Sequence, residues 1–155
     1  MNNPNRNGFE DAFGLHLTLD GYGCDYDSLT NLDKIYEFLD KTPDLISMTK
    51  IMQPYVFKYT GKVPEDWGLS GFVLIAESHI SIHTFPEKGF LSLDIFSCKR
   101  FDLLLCANHV KEYFQIDRYE SNVLNRGLEF PRNIRKVTDF IYDKRQKLKG
   151  EKNAN

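Results

Sequence analysis

Residues 71–97, GFVLIAESHISIHTFPEKGFLSLDIFS, decide the fold. HISIHTF (79–85) and FLSLDIF (90–96) each alternate apolar and polar side chains, the period of a strand with one buried face. PEKG between them has the residue types of a tight turn. The apolar run GFVLIA (71–76) ahead of them is short enough to be a further buried strand. With the turn centred on Glu87 and Lys88, facing residue numbers sum to about 175. Ser78 then faces Ser97, and Cys98 is its near neighbour across the ladder. His79, Ser81 and His83 share one strand face, because side chains alternate with period two.

Upstream, FGLHLTLD (13–20) alternates in the same way and predicts a strand, closed by a turn at GYGCD. Apolar residues at 32, 35, 36 and 39 predict a helix over Leu29–Leu39, capped by Ser28 or Asn31 and stopped by Pro43. Residues 45–59 read as a strand with an edge or break at Pro54, and TGKVPEDWGL (60–69) as a loop. Downstream, Leu103, Leu104, Ala107, Val110 and Phe114 predict a helix over 102–114. A strand follows over 116–124, and NIRKVTDFIYDKRQKLK (133–149) predicts a C-terminal helix. Strands joined by local hairpins point to an α+β two-layer sandwich: a largely antiparallel sheet with helices packed on one face. A single domain spanning 1–155 is the expectation.

The chain has 155 residues, 41% hydrophobic, with 12 Phe and 8 Tyr, enough for a packed core. A net charge of -2, from 20 basic and 22 acidic residues, predicts no affinity for nucleic acid or an anionic membrane. A small charged metabolite remains as the partner. No apolar run reaches the roughly 20 residues needed to span a bilayer. MNNPNRNGFEDAFG lacks the apolar stretch of a secretory signal. Cys24, Cys98 and Cys106 have neither even number nor CxxC spacing, so neither a disulfide framework nor a structural zinc site is expected, and the compartment is read as cytoplasmic.

Glu77, Ser78, His79, Ser81, His83, Glu87, Asp94 and Cys98 fall within 22 positions. Taken one by one they have ordinary readings. A sheet edge carries Ser and His on its wet face. His79 and His83 resemble a metal pair without the CxxC or HExxH that would complete it, so no metal is expected. Cys98 suits a small core residue, like Cys24 and Cys106. A Ser-His hydrolase would need a GxSxG elbow, which is absent. His16 and His109 have no partner legible in the sequence.

The whole run tells more than its members. ESHISIHTFPEKGFLSLDIFSC (77–98) resembles the signature of the bacterial and archaeal type of S-adenosylmethionine decarboxylase proenzyme: ESH, then IHT, an aromatic, PE, a turn, and a strand ending in a hydroxyl residue and Cys. GLSGFVLIAE (68–77) is similar to the lead-in of that signature, and FGLHLTLDGYGCD (13–25) to the start of the family's sequences. The likeness covers about the first two-thirds of the chain.

The resemblance implies self-cleavage between Glu77 and Ser78 into 1–77 and 78–155, with Ser78 becoming a covalent pyruvoyl cofactor. It implies that His83 and Ser70 serve processing, that Cys98 protonates the product carbon, and that Glu87 binds ribose hydroxyls of the substrate. S-adenosylmethionine would be decarboxylated for polyamine synthesis by a homodimer of processed protomers. The mechanism has a physical reason: loss of the carboxylate leaves a carbanion that needs an electrophilic carbonyl as its sink, and no ordinary side chain supplies one. One departure stands out. The link FKYTGKVPEDWG (57–68) is several residues longer than the family's usual link, which carries an adenine-stacking aromatic; Tyr59 and Trp67 are the candidates for that ring. The alternative is a pyruvoyl-dependent arginine or ornithine decarboxylase on the same scaffold, with Glu65 and Asp66 facing a cationic tail. An inactive regulatory homologue is disfavoured by the joint presence of Ser78, His83 and Cys98.

Overall fold

The computed structural model describes residues 12–128 and 130. The C-terminal helix expected over 133–149 lies outside them. By its contacts the chain divides into two units, Gly14–Leu124 and a second made of 1–13 with 125–155. Everything that bears on chemistry below belongs to the first.

Seven strands form one sheet: β1 (Gly14–Tyr22), β2 (Thr49–Lys50), β3 (Tyr55–Thr60), β4 (Trp67–Ala76), β5 (Ser78–Phe85), β6 (Phe90–Ser97) and β7 (Arg118–Arg126). The order across it is β2-β4-β5-β6-β1-β7, and β3 shares with β2 the outer side of β4. The β1–β6, β2–β4, β3–β4, β4–β5 and β5–β6 ladders are antiparallel. Three helices accompany the sheet: α1 (Tyr26–Thr30), α2 (Leu32–Leu45) and α3 (Leu103–Tyr113).

The alternation read in the sequence sets the two faces. Leu17, Leu19, Ile80, Ile82, Leu91, Leu93 and Ile95 are buried, and pack with Ile35, Phe38 and Leu39 of α2 and Cys106 and Val110 of α3. Each helix starts on a side-chain cap: Asp25 accepts from the Ser28 amide, Asn31 from Lys34 and Asp102 from Leu105. The opposite face of the sheet carries the alternate residues, with Tyr55, Phe57, Tyr59 and Leu74 exposed upon it. The hairpin turn between β5 and β6 is a single 3₁₀ turn, Pro86–Lys88, ended by Gly89 at φ 55°, a left-handed conformation that glycine takes without penalty.

Three boundaries differ from expectation. Pro43 does not stop α2 but lies buried in its last turn, where it forgoes only one backbone bond and the helix runs on to Leu45. The segment 45–59 makes two strands: Pro54 separates β2 from β3, each pairing with a different stretch of β4. Trp67, Gly68 and Leu69 are strand, not loop. The longer link is therefore a β3–β4 hairpin whose turn, 61–66, is closed by a backbone bond from Gly61 N–H to the Asp66 carbonyl.

Candidate active site

The β5–β6 register has Ser78 facing Ser97, as the sum rule requires. Past the end of that ladder, the amide N–H of Cys98 donates to the Glu77 carbonyl oxygen at 3.3 Å. Ser78 has φ 138°, a backbone conformation that L side chains rarely adopt. Its Oγ is 3.4 Å from Nδ1 of His79. Ser97 is fully buried; its hydroxyl donates to the sulfur of Met48 and accepts from the Lys99 amide, which ties down the turn carrying Cys98. Cys98 is half-buried. The other two thiols are core groups: burial pushes Cys24 up to about 11 and Cys106 up to about 12, so neither supplies a thiolate or an accessible proton near neutral pH.

Ser70 and His83 meet elsewhere. They face each other across the β4–β5 ladder, with Ser70 Oγ and His83 Nδ1 hydrogen-bonded at 2.8 Å. They line a cavity of about 340 Å³ together with Phe57, Tyr59, Asp66, Trp67 and Phe85. Gly68 in its wall is obligatory, because a Cβ there would lie 1.8 Å from the Thr84 carbonyl oxygen. Glu87, on the 3₁₀ turn, accepts hydrogen bonds on Oε1 from Tyr26 Oη and Trp67 Nε1, both at 3.1 Å.

The expected residues thus form two groups. Glu77, Ser78 and Cys98 come together at the start of β5. Ser70, His83, Tyr59, Trp67 and Glu87 gather toward its far end. Five residue positions separate Ser78 from His83, roughly 17 Å along an extended strand. Within one chain, His83 does not reach the Glu77–Ser78 peptide. Sequence reasoning placed both residues on one strand without drawing that consequence. It also missed His79 as the histidine beside Ser78, and Tyr26 as a partner of Glu87, 61 positions away. His16 does have a partner, Asp94 Oδ1 at 2.9 Å, on the open face of the sheet, and His109 stacks on Phe38. Among the described residues, no group of three or more His, Cys, Asp and Glu could hold a metal ion, and no helix is long and apolar enough to cross a membrane.

Comparison with known proteins gives a consistent picture. A sequence model of the family described as S-adenosylmethionine decarboxylase matches residues 15–127. An S-adenosylmethionine decarboxylase proenzyme of Geobacillus kaustophilus is 33% identical over 130 residues, covering 82% of this chain and 97% of that protein. One from Clostridium botulinum is 36% identical over 115 residues, covering 74% and 94%. One from Pyrococcus furiosus is 32% identical over 120 residues, covering 77% and 82%. The crystal structure of the adenosylmethionine decarboxylase from Aquifex aeolicus superposes with a TM-score of 0.61 at 31% identity, covering 75% of this chain and 92% of that one.

Proposed function

The chain belongs to the S-adenosylmethionine decarboxylase family, and we propose that it removes the carboxylate of S-adenosylmethionine after cutting itself between Glu77 and Ser78 and converting Ser78 into a pyruvoyl group. The observation that carries the processing step is the hydrogen bond from the Cys98 amide to the Glu77 carbonyl, next to a serine in a disfavoured backbone conformation. The Ser78 hydroxyl attacks the Glu77 carbonyl carbon, and the Cys98 N–H stabilises the oxyanion that develops. The Ser78 nitrogen leaves as an amine, so the peptide becomes an ester. Loss of the Ser78 Cα proton then expels the Glu77 carboxylate and leaves dehydroalanine. Water displaces ammonia from its imine tautomer, and residues 78–155 begin with a pyruvoyl group while 1–77 end at Glu77. The conformation at Ser78, worth ~1–3 kcal/mol of strain, favours a cut that relaxes it.

The residues present fit such a group: the position is half-buried and the half-buried thiol of Cys98 follows directly on Ser97, the residue that faces it. The pyruvoyl ketone supplies a point of attachment for the substrate amine and a sink for the electron pair freed with carbon dioxide. Cys98 holds the proton at Sγ that is delivered to the α-carbon. In a homodimer that brings the two ends of β5 together, Glu87 of the second copy takes the ribose diol, and its Tyr59, exposed on the cavity wall, offers its ring to the adenine. The cavity stays open beside the longer hairpin, which supports a nucleoside substrate over a short basic amino acid. The product would feed aminopropyl groups to polyamine synthesis.

The distance between Ser78 and His83 supports a homodimer in which the Ser70–His83 pair of one copy serves the cut site of the other. The open sheet face, with its exposed Tyr55, Phe57 and Leu74, is the surface available for that pairing. His79 is the alternative base within one chain. Intact mass of the purified protein and carbon dioxide released from S-adenosylmethionine, arginine and ornithine test the reading together. Two fragments with turnover of S-adenosylmethionine are expected. An active enzyme that remains one full-length chain would end the processing scheme, and turnover of arginine or ornithine alone would end the substrate assignment.

A further inference from the structure

Trp67 lines the cavity, and its indole does more than that. Its Nε1–H donates to Glu87 Oε1 at 3.1 Å, and Tyr26 Oη donates to the same oxygen at the same distance. The two donors come from separate elements: Tyr26 opens α1, behind a cap fixed by Asp25, and Trp67 opens β4, paired with Thr60. Lys58 Nζ lies 4.3 Å from the centroid of the indole and covers one of its faces. The ring is thus fixed by a strand pairing, a cation and a hydrogen bond.

A carboxylate on an exposed turn rotates freely unless it is held, and a freely rotating acceptor recognises little. Two aromatic donors on Oε1 remove that freedom. They leave the acceptor sites of Oε2 unused by either donor, and a carboxylate with one oxygen anchored presents the other in a set direction. The hydrogen bond from Tyr26 also pushes its phenol above the ordinary tyrosine range, so the donor stays protonated at physiological pH. We infer that Tyr26 and Trp67 are positioning residues that clamp Glu87 for a vicinal diol, and so set the preference for a nucleoside-bearing substrate. Trp67 acts as a strut, while the stacking ring is Tyr59. The inference rests on the reading that Glu87 receives the ribose.

The test uses the self-cleaved, active enzyme and two substrates, S-adenosylmethionine and its 2′-deoxy analogue. Wild type should prefer the diol by on the order of tenfold or more, the usual worth of a hydrogen bond to a charged group. Tyr26→Phe and Trp67→Phe each keep the ring and lose the donor. Each should raise KM for S-adenosylmethionine about two- to tenfold, leave kcat within about twofold, and narrow the discrimination. In a Glu87→Gln background the two changes should narrow it no further, because the group they position is gone. Tyr26 is exposed, so its replacement tests the clamp even where Trp67→Phe disturbs the hairpin. If Glu87→Gln abolishes the discrimination while both aromatic variants retain it in full, the clamp is wrong and the role of Glu87 stands. A Trp67→Phe enzyme whose KM rises equally for both substrates would make Trp67 a wall of the cavity and overturn the clamp. Absence of discrimination in wild type would overturn the clamp together with the ribose reading.

Discussion

The start of β5 is distinguished by its backbone, and the part from His83 onward, five residues later, by its side chains. The Glu77 carbonyl is held by a main-chain N–H, and the unusual feature of Ser78 is its φ of 138°. The far end holds the Ser70–His83 hydrogen bond, the Glu87 carboxylate with its two aromatic donors, and the rings around the cavity. A backbone contact survives almost any substitution at the residue that makes it, whereas a side-chain contact does not. The cut-site end should therefore be all-or-none at its one nucleophile and tolerant elsewhere, and the cavity end graded.

The largest effect falls on the nucleophile. Ser78→Ala removes the only atom that begins the acyl shift, and the chain should remain at full-length mass indefinitely. Fragments 1–77 and 78–155 from that variant would show that another group cuts the chain. Next comes His83→Ala, which should be cut very slowly by itself. Co-expressed with Ser78→Ala, which retains His83, the His83→Ala chain should be cut again if, as proposed, the second copy of a homodimer supplies the base. Tagged chains separate the products by mass. Normal cleavage of His83→Ala alone, with loss of cleavage in His79→Ala, would transfer the role to the histidine whose Nδ1 is 3.4 Å from Ser78 Oγ and remove this argument for a shared site.

The third test separates the two kinds of contact within one residue. Cys98→Ala loses the thiol but keeps the amide that donates to Glu77. Cleavage should proceed nearly as in wild type, while turnover of S-adenosylmethionine falls by ~10²–10⁴-fold, the usual worth of a general acid. Impaired cleavage with full activity of chains already cut would reverse that division.

The same contrast explains what was legible in the sequence. The β5–β6 register, and with it the meeting of Ser78, Ser97 and Cys98, follows from a short turn and strict alternation, both local properties. Cys24 and Cys106, read in the sequence as packing residues, are both buried. The Tyr26–Glu87–Trp67 contacts were not, since they join three elements whose mutual placement depends on the packing of α1 against the sheet. Trp67 was hidden by its setting: Gly61, Pro64 and Gly68 are turn residues, yet Gly68 is in the strand because only a glycine permits the approach of Thr84. Pro43 misled for a related reason, because a proline in the last helical turn costs little when its ring is buried.

The smallest effect concerns strain, and its sign decides it. Ser78→Gly and Ser78→Ala both lack the hydroxyl, so both remain uncut and can be compared as intact chains. In an ordinary strand, glycine is the less stable of the two by roughly 0.5–1 kcal/mol, because it loses more backbone freedom on folding. At φ 138° the order should invert. Alanine there carries ~1–3 kcal/mol of conformational strain that glycine avoids. Subtracting the entropy term leaves glycine ahead by up to about 2.5 kcal/mol, readable as a higher midpoint in urea at unchanged slope. Were alanine the more stable, the backbone at Ser78 would be relaxed before the cut. The Cys98 amide would then act on Glu77 without help from strain, and the backbone end of β5 would lose the feature that most distinguishes it from the cavity end.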